Sequence, residues 1–419
     1  MIEDNFDLRT LAGDTMVFAI LFGLANVASY LFVVIAGRML PPTQFGVFNA
    51  LVGILGMAGI FISSLQAAIT QSVVVVAGRA TLVRMLRTIW RLGLVTTALG
   101  VLIASPFASS IGANIPDVVI CGCTILLMLL AVVPLGHMGA LGKLRSQAAV
   151  SLVGTVARLA TGCALILAGL GTSGALVGYA VQYLVILGVG AFLVANGAAG
   201  SSARRQIACP ELKLDKPAIA TFVVAFTPFC LDQLLVQSIN PLLGGDYAAM
   251  STTAKLVFFA TLPIISVAYP YLLKSVSLRR RIRILAAAGI ALAIVATFTT
   301  VAIGLFPDKI IQLFFENRYP NAQTHIVTMA LGVALFSLSA LAIHAQIALD
   351  GRLGSLPSIA AILIGVGLYM LNHATIEDVV NNQVATYALQ LVFVLGFLAL
   401  TIARRRRQWH LAAASKSVA

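Results

Sequence analysis

The sequence predicts an all-α, multi-pass membrane protein of twelve transmembrane helices. Long apolar stretches recur along all 419 residues. About 20 apolar residues in a helix span the hydrocarbon core, because a helix satisfies its own backbone polar groups there. Composition agrees: 60% of residues are hydrophobic and only 10% charged, a surplus that no soluble core of this length requires. Nearly every Lys and Arg also falls in alternate gaps between the apolar stretches, the pattern left when cytoplasmic loops retain positive charge.

The stretches fall near 15–37, 46–72, 92–112, 118–136, 148–170, 175–195, 218–240, 249–272, 285–306, 325–347, 356–373 and 384–403. With the N-terminus placed inside, the inward segments hold 22 of the 27 basic residues, including Arg79, Arg84, Arg87, Arg91, the group Arg279 to Arg283 and the run Arg404 to Arg407. Outward loops hold only Arg38, Lys309 and Arg318. Both termini are therefore expected in the cytoplasm. The acidic start (Met1 to Asp14) is no cleavable signal, so the first stretch is expected to direct insertion. The segment 307–324 mixes Ile310, Ile311, Leu313, Phe314 and Phe315 with charges and predicts a short helix at the outer interface, serving mainly to anchor a hairpin.

The net charge of +13 lies in clusters flanking apolar stretches, so anionic lipid headgroups rather than nucleic acid are the expected partner. The five cysteines form no CxxC pair. They read as small packing residues, without disulfide or metal. There is no P-loop, HExxH, GxSxG or dinucleotide fingerprint, so neither an enzyme nor a cofactor is expected. His137 and His344, near the inner ends of the fourth and tenth stretches, suit cap or interface roles.

The polar connection 196–217 divides the chain into two sets of six helices, residues 1–205 and 206–419. The halves echo each other. Gly46-Val47-Phe48-Asn49-Ala50 opens the second stretch and Gly245-Asp246-Tyr247-Ala248-Ala249 the eighth. Ala140-Leu141-Gly142-Lys143 follows the fourth and Ala348-Leu349-Asp350-Gly351-Arg352 the tenth. Two pseudo-symmetric six-helix bundles of parallel topology are expected, an arrangement common in transporters, with the substrate site between the repeats.

The run Gly37-Arg38-Met39-Leu40-Pro41-Pro42-Thr43-Gln44-Phe45-Gly46-Val47-Phe48, the segment Asp232 through Tyr247 to Lys255, and the segment Phe306-Pro307 through Phe315 to Tyr319 resemble the polysaccharide-transport branch of the multidrug/oligosaccharidyl-lipid/polysaccharide exporter superfamily. The resemblance covers most of the chain and keeps order and topology. It implies a flippase that carries an undecaprenyl-pyrophosphate-type lipid-linked oligosaccharide from the inner to the outer leaflet of a bacterial plasma membrane, in exopolysaccharide or lipopolysaccharide synthesis. H⁺ or Na⁺ would serve as counter-ion, with a polymerase or glycosyltransferase as neighbour. A drug/cation antiporter of the same superfamily and a non-transporting scaffold remain as alternatives.

Charges inside apolar stretches are the informative candidates, since each costs about 2.5–3.5 kcal/mol at a helix centre. Arg158 lies roughly 16 Å into the fifth stretch at 1.5 Å per residue, near the midplane. A guanidinium there either binds a pyrophosphate or acidic sugar or snorkels to the inner surface. Asp232 and Lys255 flank the turn between the seventh and eighth stretches at similar depth and are expected to interact. They either couple an ion, with Lys255 also touching substrate, or neutralise each other, and the cost of stranding one charge leans toward the second. Polar residues at helical spacing are expected to face a central cleft: Asn26 and Tyr30; Ser63, Gln66 and Thr70; Gln233, Gln237 and Asn240. In the family resembled, helices 1, 2, 7 and 8 line that cleft.

Overall fold

The computed structural model describes residues 8–75, 79–197, 216–274, 277–316, 318–349 and 354–418, and the side chains of 16–70, 82–196, 216–273, 277–316, 318–349 and 354–405 within them. The described residues are helical with short connections and contain no strand. Among the described residues ten helical stretches are long and apolar enough to cross a membrane, and the chain is a multi-pass membrane protein. It divides into two compact units, Met1–Leu214 and Asp215–Ala419. The boundary expected after residue 205, together with Cys209, Arg204, Arg205 and Lys213, lies outside the described residues.

The first unit holds α1 (Leu8–Met39), α2 (Pro42–Val75), α3 (Arg79–Ala104), a 3₁₀ turn (Ser105–Ile111), α4 (Ile115–Ala140), α5 (Leu144–Leu165), a π turn (Ile166–Leu170) and α6 (Gly171–Gly197). The apolar stretch Leu144–Asn196, 53 residues long, is two antiparallel helices. An ideal Cβ on Gly154 would meet Ile186, one on Gly174 would meet Leu165, and one on Gly178 would lie 2.9 Å from Gly162 Cα. The chain reverses at Gly169, whose φ of 88° suits glycine. At Gly162 and Gly178 the two backbones touch, a spacing that any side chain would wedge apart. Gly178→Val is expected to destabilise this unit by about 1–3 kcal/mol, read as a lower melting temperature of the purified protein.

In the second unit α7 (Lys216–Ile239), α8 (Gly244–Ala254), α9 (Leu256–Lys274), α10 (Leu278–Leu305), α11 (Pro307–Phe315), α12 (Ile326–Ala348), α13 (Leu356–Leu371) and α14 (Ile376–Val418) follow in order. Helix α12 is central and packs against α7, α8, α9, α10 and α14. Gly332, Ala340 and small polar residues let its neighbours close in. The short helix expected within 307–324 is α11, and it is followed by buried Tyr319, whose ring lies 5.4 Å from that of Phe315. Asn321 donates to Asp246 at 2.8 Å, tying this loop to the start of α8. With 16 residues, α13 spans about 24 Å at 1.5 Å per residue, short of the ~30 Å core.

Several basic residues expected in loops lie on helices instead. Arg84, Arg87 and Arg91 belong to the exposed first turns of α3, and Arg279 to Arg283 to those of α10. Helices continue past the apolar region because a charged turn needs no hydrocarbon and keeps its backbone paired. Arg281 also braces a neighbouring helix. Its Nη1 donates to the Ala348 carbonyl at 2.8 Å, closing the last turn of α12, as basic side chains do at helix C-termini. The histidines are not caps. His137 is buried with Nδ1 2.9 Å from the Val133 carbonyl. His344 lies against Phe222 and Tyr269, with ring centroids 4.8 and 5.0 Å away. A histidine whose ring can bond the carbonyl four residues back is accommodated inside a helix bundle.

Candidate functional site: a caged guanidinium and a cradled ion pair

Helix α5 carries Arg158 into the interior of the first unit, where its residue exposure is 4%. Its guanidinium carbon lies 4.4 Å from the ring centroid of Tyr179 on α6 and 5.2 Å from that of Phe32 on α1. Phe32, Phe48 and Tyr179 in turn pack edge-on or tilted against one another, with centroids 5.7–6.2 Å apart. Gly162, one turn along α5 from Arg158, makes room for Phe32: a Cβ there would sit 2.4 Å from the ring. Arg158 Nε and Nη2 are buried without a hydrogen-bond partner among the described residues. Snorkelling is therefore not its arrangement. Aromatic faces offer a cation about 2 kcal/mol each when desolvated, while removing its hydration costs several kcal/mol. The site is thus electrostatically incomplete and positive.

In the second unit the expected pair forms: Lys255 Nζ lies 3.0 Å from Asp232 Oδ1. The turn between α7 and α8 centres on residues 241–242, slightly earlier than Gly244, so Ser251 stands level with Asp232 and Lys255 reaches back from one turn further on. Asp232 Oδ2 accepts from Ser251 Oγ at 2.9 Å and from Tyr247 Oη at 3.2 Å. The Lys255 ammonium rests 4.9 Å from the centroid of Phe229. Beneath that ring lies an aromatic cluster: Phe229 stacks on Phe336 at 4.6 Å, and Phe336 meets Tyr387 at 5.2 Å.

A polar ring on α13 and α14 supports helix α7 around its internal proline. Pro228 removes one backbone donor from α7 and weakens its ladder locally. Gln383 Nε2 donates to the Pro228 carbonyl at 2.9 Å, Gln390 Nε2 to the Ala225 carbonyl at 2.7 Å, and Tyr369 donates to Gln383 Oε1 at 2.8 Å. Gln383→Leu leaves buried partners unsatisfied and is expected to cost about 1–3 kcal/mol, measured as a fall in thermal midpoint with the helical signal unchanged.

The other expected residues divide by position. Gln233 donates to the Gly244 carbonyl at 2.8 Å, and Gln237 lies so close to Gly244 that a Cβ there would overlap it. Both are buried and hold the α7–α8 hairpin. Asn240 bonds the His373 carbonyl at 3.3 Å. Asn26 is exposed and returns its amide to the Phe22 carbonyl at 3.0 Å. Tyr30 and Gln66 are half-buried, and Thr70 links α2 to the Gly136 carbonyl of α4 at 3.2 Å. Among the described residues no group of His, Cys, Asp and Glu is arranged to hold a metal ion.

Sequence reasoning missed Tyr247, Ser251, Phe32, Tyr179, Gln383 and Gln390. Two signals were present. Tyr247, Ser251 and Lys255 share one face at i, i+4 and i+8, and Gln383, Tyr387 and Gln390 do so at i, i+4 and i+7. Nothing local marks Phe32 and Tyr179 as neighbours of Arg158, since they arrive from separate helices.

No family model matches the sequence, and no curated protein matches it. Solved structures do. An inward-facing multidrug resistance transporter of the MATE family, within the MOP superfamily, superposes with a TM-score of 0.66 at 12% identity, covering 95% of this chain and 96% of that one. The lipid II flippase MurJ in an inward closed conformation gives 0.68 at 13% identity over 92% and 87%. A MOP superfamily transporter from Pyrococcus furiosus, described as having a binding pocket of reverse polarity, gives 0.56 at 14% over 93% and 94%. The chain has the fold of MOP-superfamily transporters. The likeness extends through both units of the chain.

Proposed function

We propose that this protein is a flippase that moves a lipid-linked oligosaccharide or polysaccharide precursor from the inner to the outer leaflet by alternating access. In this reading the chain makes twelve passes through a bacterial plasma membrane, as two six-helix bundles with both termini cytoplasmic. The fold likeness supports a multidrug antiporter as well as a flippase, since both kinds of transporter share it. The sign of the unpaired charge favours the flippase.

Three charged side chains are fully buried among the described residues: Asp117, Arg158 and Asp232. Both acids are committed. Asp117 completes the capping box of α4 and accepts from Ser173, and Asp232 holds Lys255, Ser251 and Tyr247. Arg158 has neither a counter-charge nor a hydrogen bond from Nε or Nη2 among the described residues. A protein built for cationic drugs would keep an acid available; one built for a phosphate-bearing lipid or acidic sugar would keep a cation. Asn26, Tyr30 and Gln66 are assigned to contacts with the sugar headgroup. Asp232 and Lys255 are assigned to coupling an H⁺ or Na⁺ gradient, with Lys255 also touching substrate.

The direct test is leaflet transfer in vesicles containing the purified protein and a fluorescent undecaprenyl-pyrophosphate oligosaccharide. Transfer above protein-free vesicles supports the reading. Absence of transfer, with resistance to toxic organic cations on overexpression, would move the protein to the antiporter class.

A further inference from the structure

The ion pair of the second unit is unequal, and the inequality has a chemical meaning. Asp232 is fully enclosed: its side chain has 0% exposure and takes three donors, from Lys255, Ser251 and Tyr247. Lys255 is not. Its side chain is 19% exposed, and Asp232 is the one hydrogen-bond partner of its ammonium among the described residues. An ammonium carries three donors. One N–H is on the carboxylate and the ring of Phe229 lies 4.9 Å from Nζ. The ammonium thus keeps donor capacity beyond Asp232, on a side chain that is partly exposed. If the bridge served stability alone, burying both partners or replacing them with apolar residues would serve as well or better.

We infer that Lys255 is an oxyanion contact whose strength Asp232 holds down. The carboxylate fixes the ammonium in place and cancels part of its charge. An incoming phosphate or carboxylate oxygen then meets a positioned donor that binds it only moderately and releases it again. The two hydroxyls on Oδ2 keep Asp232 in place when an anion draws Lys255 partly away. Nothing covalent changes; one charge-assisted hydrogen bond is shared between two acceptors. The inference rests on the proposed flippase reading for the source of the anion, either the carrier's phosphate or an acidic sugar.

This assignment predicts opposite effects from the two halves of one salt bridge. Binding of inorganic pyrophosphate and of glucuronate to the purified protein would be measured by calorimetry at fixed ionic strength. The native protein, D232N and the charge-free D232N/K255M would be compared, each checked for monodisperse elution. D232N keeps the ammonium and removes its competitor, so affinity should rise roughly 3- to 10-fold, the strength of a modest charge-assisted bond. D232N/K255M should bind more weakly than native. Preference for pyrophosphate identifies the phosphate as source, and preference for glucuronate the sugar. If D232N weakens binding as the double variant does, or if neither anion binds the native protein, the assignment is wrong. The flippase reading fails separately: native protein that moves no lipid-linked glycan between leaflets, while the calorimetric order holds, sinks that reading and leaves the anion contact standing.

Discussion

Replacing Arg158 with Leu is expected to cut leaflet transfer by roughly one to two orders of magnitude while leaving the protein at least as stable as the native form. The two outcomes come from one observation. Arg158 sits at 4% exposure between Phe32 and Tyr179 with Nε and Nη2 unpartnered, so the folded protein carries a desolvated charge that no acid among the described residues offsets. An apolar side chain of similar reach removes that cost of several kcal/mol and forfeits two cation–π contacts of about 2 kcal/mol each. Stability should change little or rise. Function should fall sharply. A guanidinium fork on an oxyanion is worth about 1.5–3 kcal/mol, so transfer should fall roughly 10- to 100-fold. Arg158→Lys, which keeps charge without the fork, should recover only part of it. The measurement is initial transfer rate per folded protein alongside the thermal midpoint. Normal transfer by Arg158→Leu would show the cage to be packing alone, and a sharp loss of stability would show that the native protein neutralises this charge internally.

The largest effect on folding is expected at Lys255. Lys255→Ala strands the fully buried Asp232 carboxylate, and breaking a buried pair by removing one partner costs about 3–5 kcal/mol. Ser251 and Tyr247 still donate to Oδ2, so the cost should sit near the lower end. Membrane abundance should fall several-fold, as stability losses of this size deplete a protein in cells. The charge-free double variant D232N/K255M should restore abundance without restoring transport. Equal abundance of native and Lys255→Ala protein would mean that Asp232 needs no counter-charge. Failure of the double variant to recover would mean that the pair sets the path of α8 and α9, beyond neutralising each other.

The Asp232–Lys255 pair was legible in the sequence because a hairpin obeys simple arithmetic: residues equidistant from a turn lie at equal depth. The turn centre was misplaced by about two residues, and the length of the lysine side chain absorbed the error. The stripe of Gln233 and Gln237 was legible as a face, but its neighbour was not. Helical periodicity says which residues share a side of a helix and not what that side meets. Here it meets Gly244 and the α7–α8 turn.

The sequence by itself determined the all-helical membrane class, the placement of most apolar helices, the short helix after Phe306 and the paired charges of the α7–α9 segment. These follow from local physics: the bilayer demands about 20 apolar residues per pass, and a helix of fixed rise places its neighbours by counting. Only the tertiary structure decided which buried charge lacks a partner. Whether Arg158 is paired depends on α1 and α6, brought to α5 by Gly162 and Gly178, where the absence of a side chain lets backbone and ring close to contact distance. Charge compensation inside a low-dielectric bundle is settled by distances between residues remote in the chain, and a linear pattern does not contain those distances.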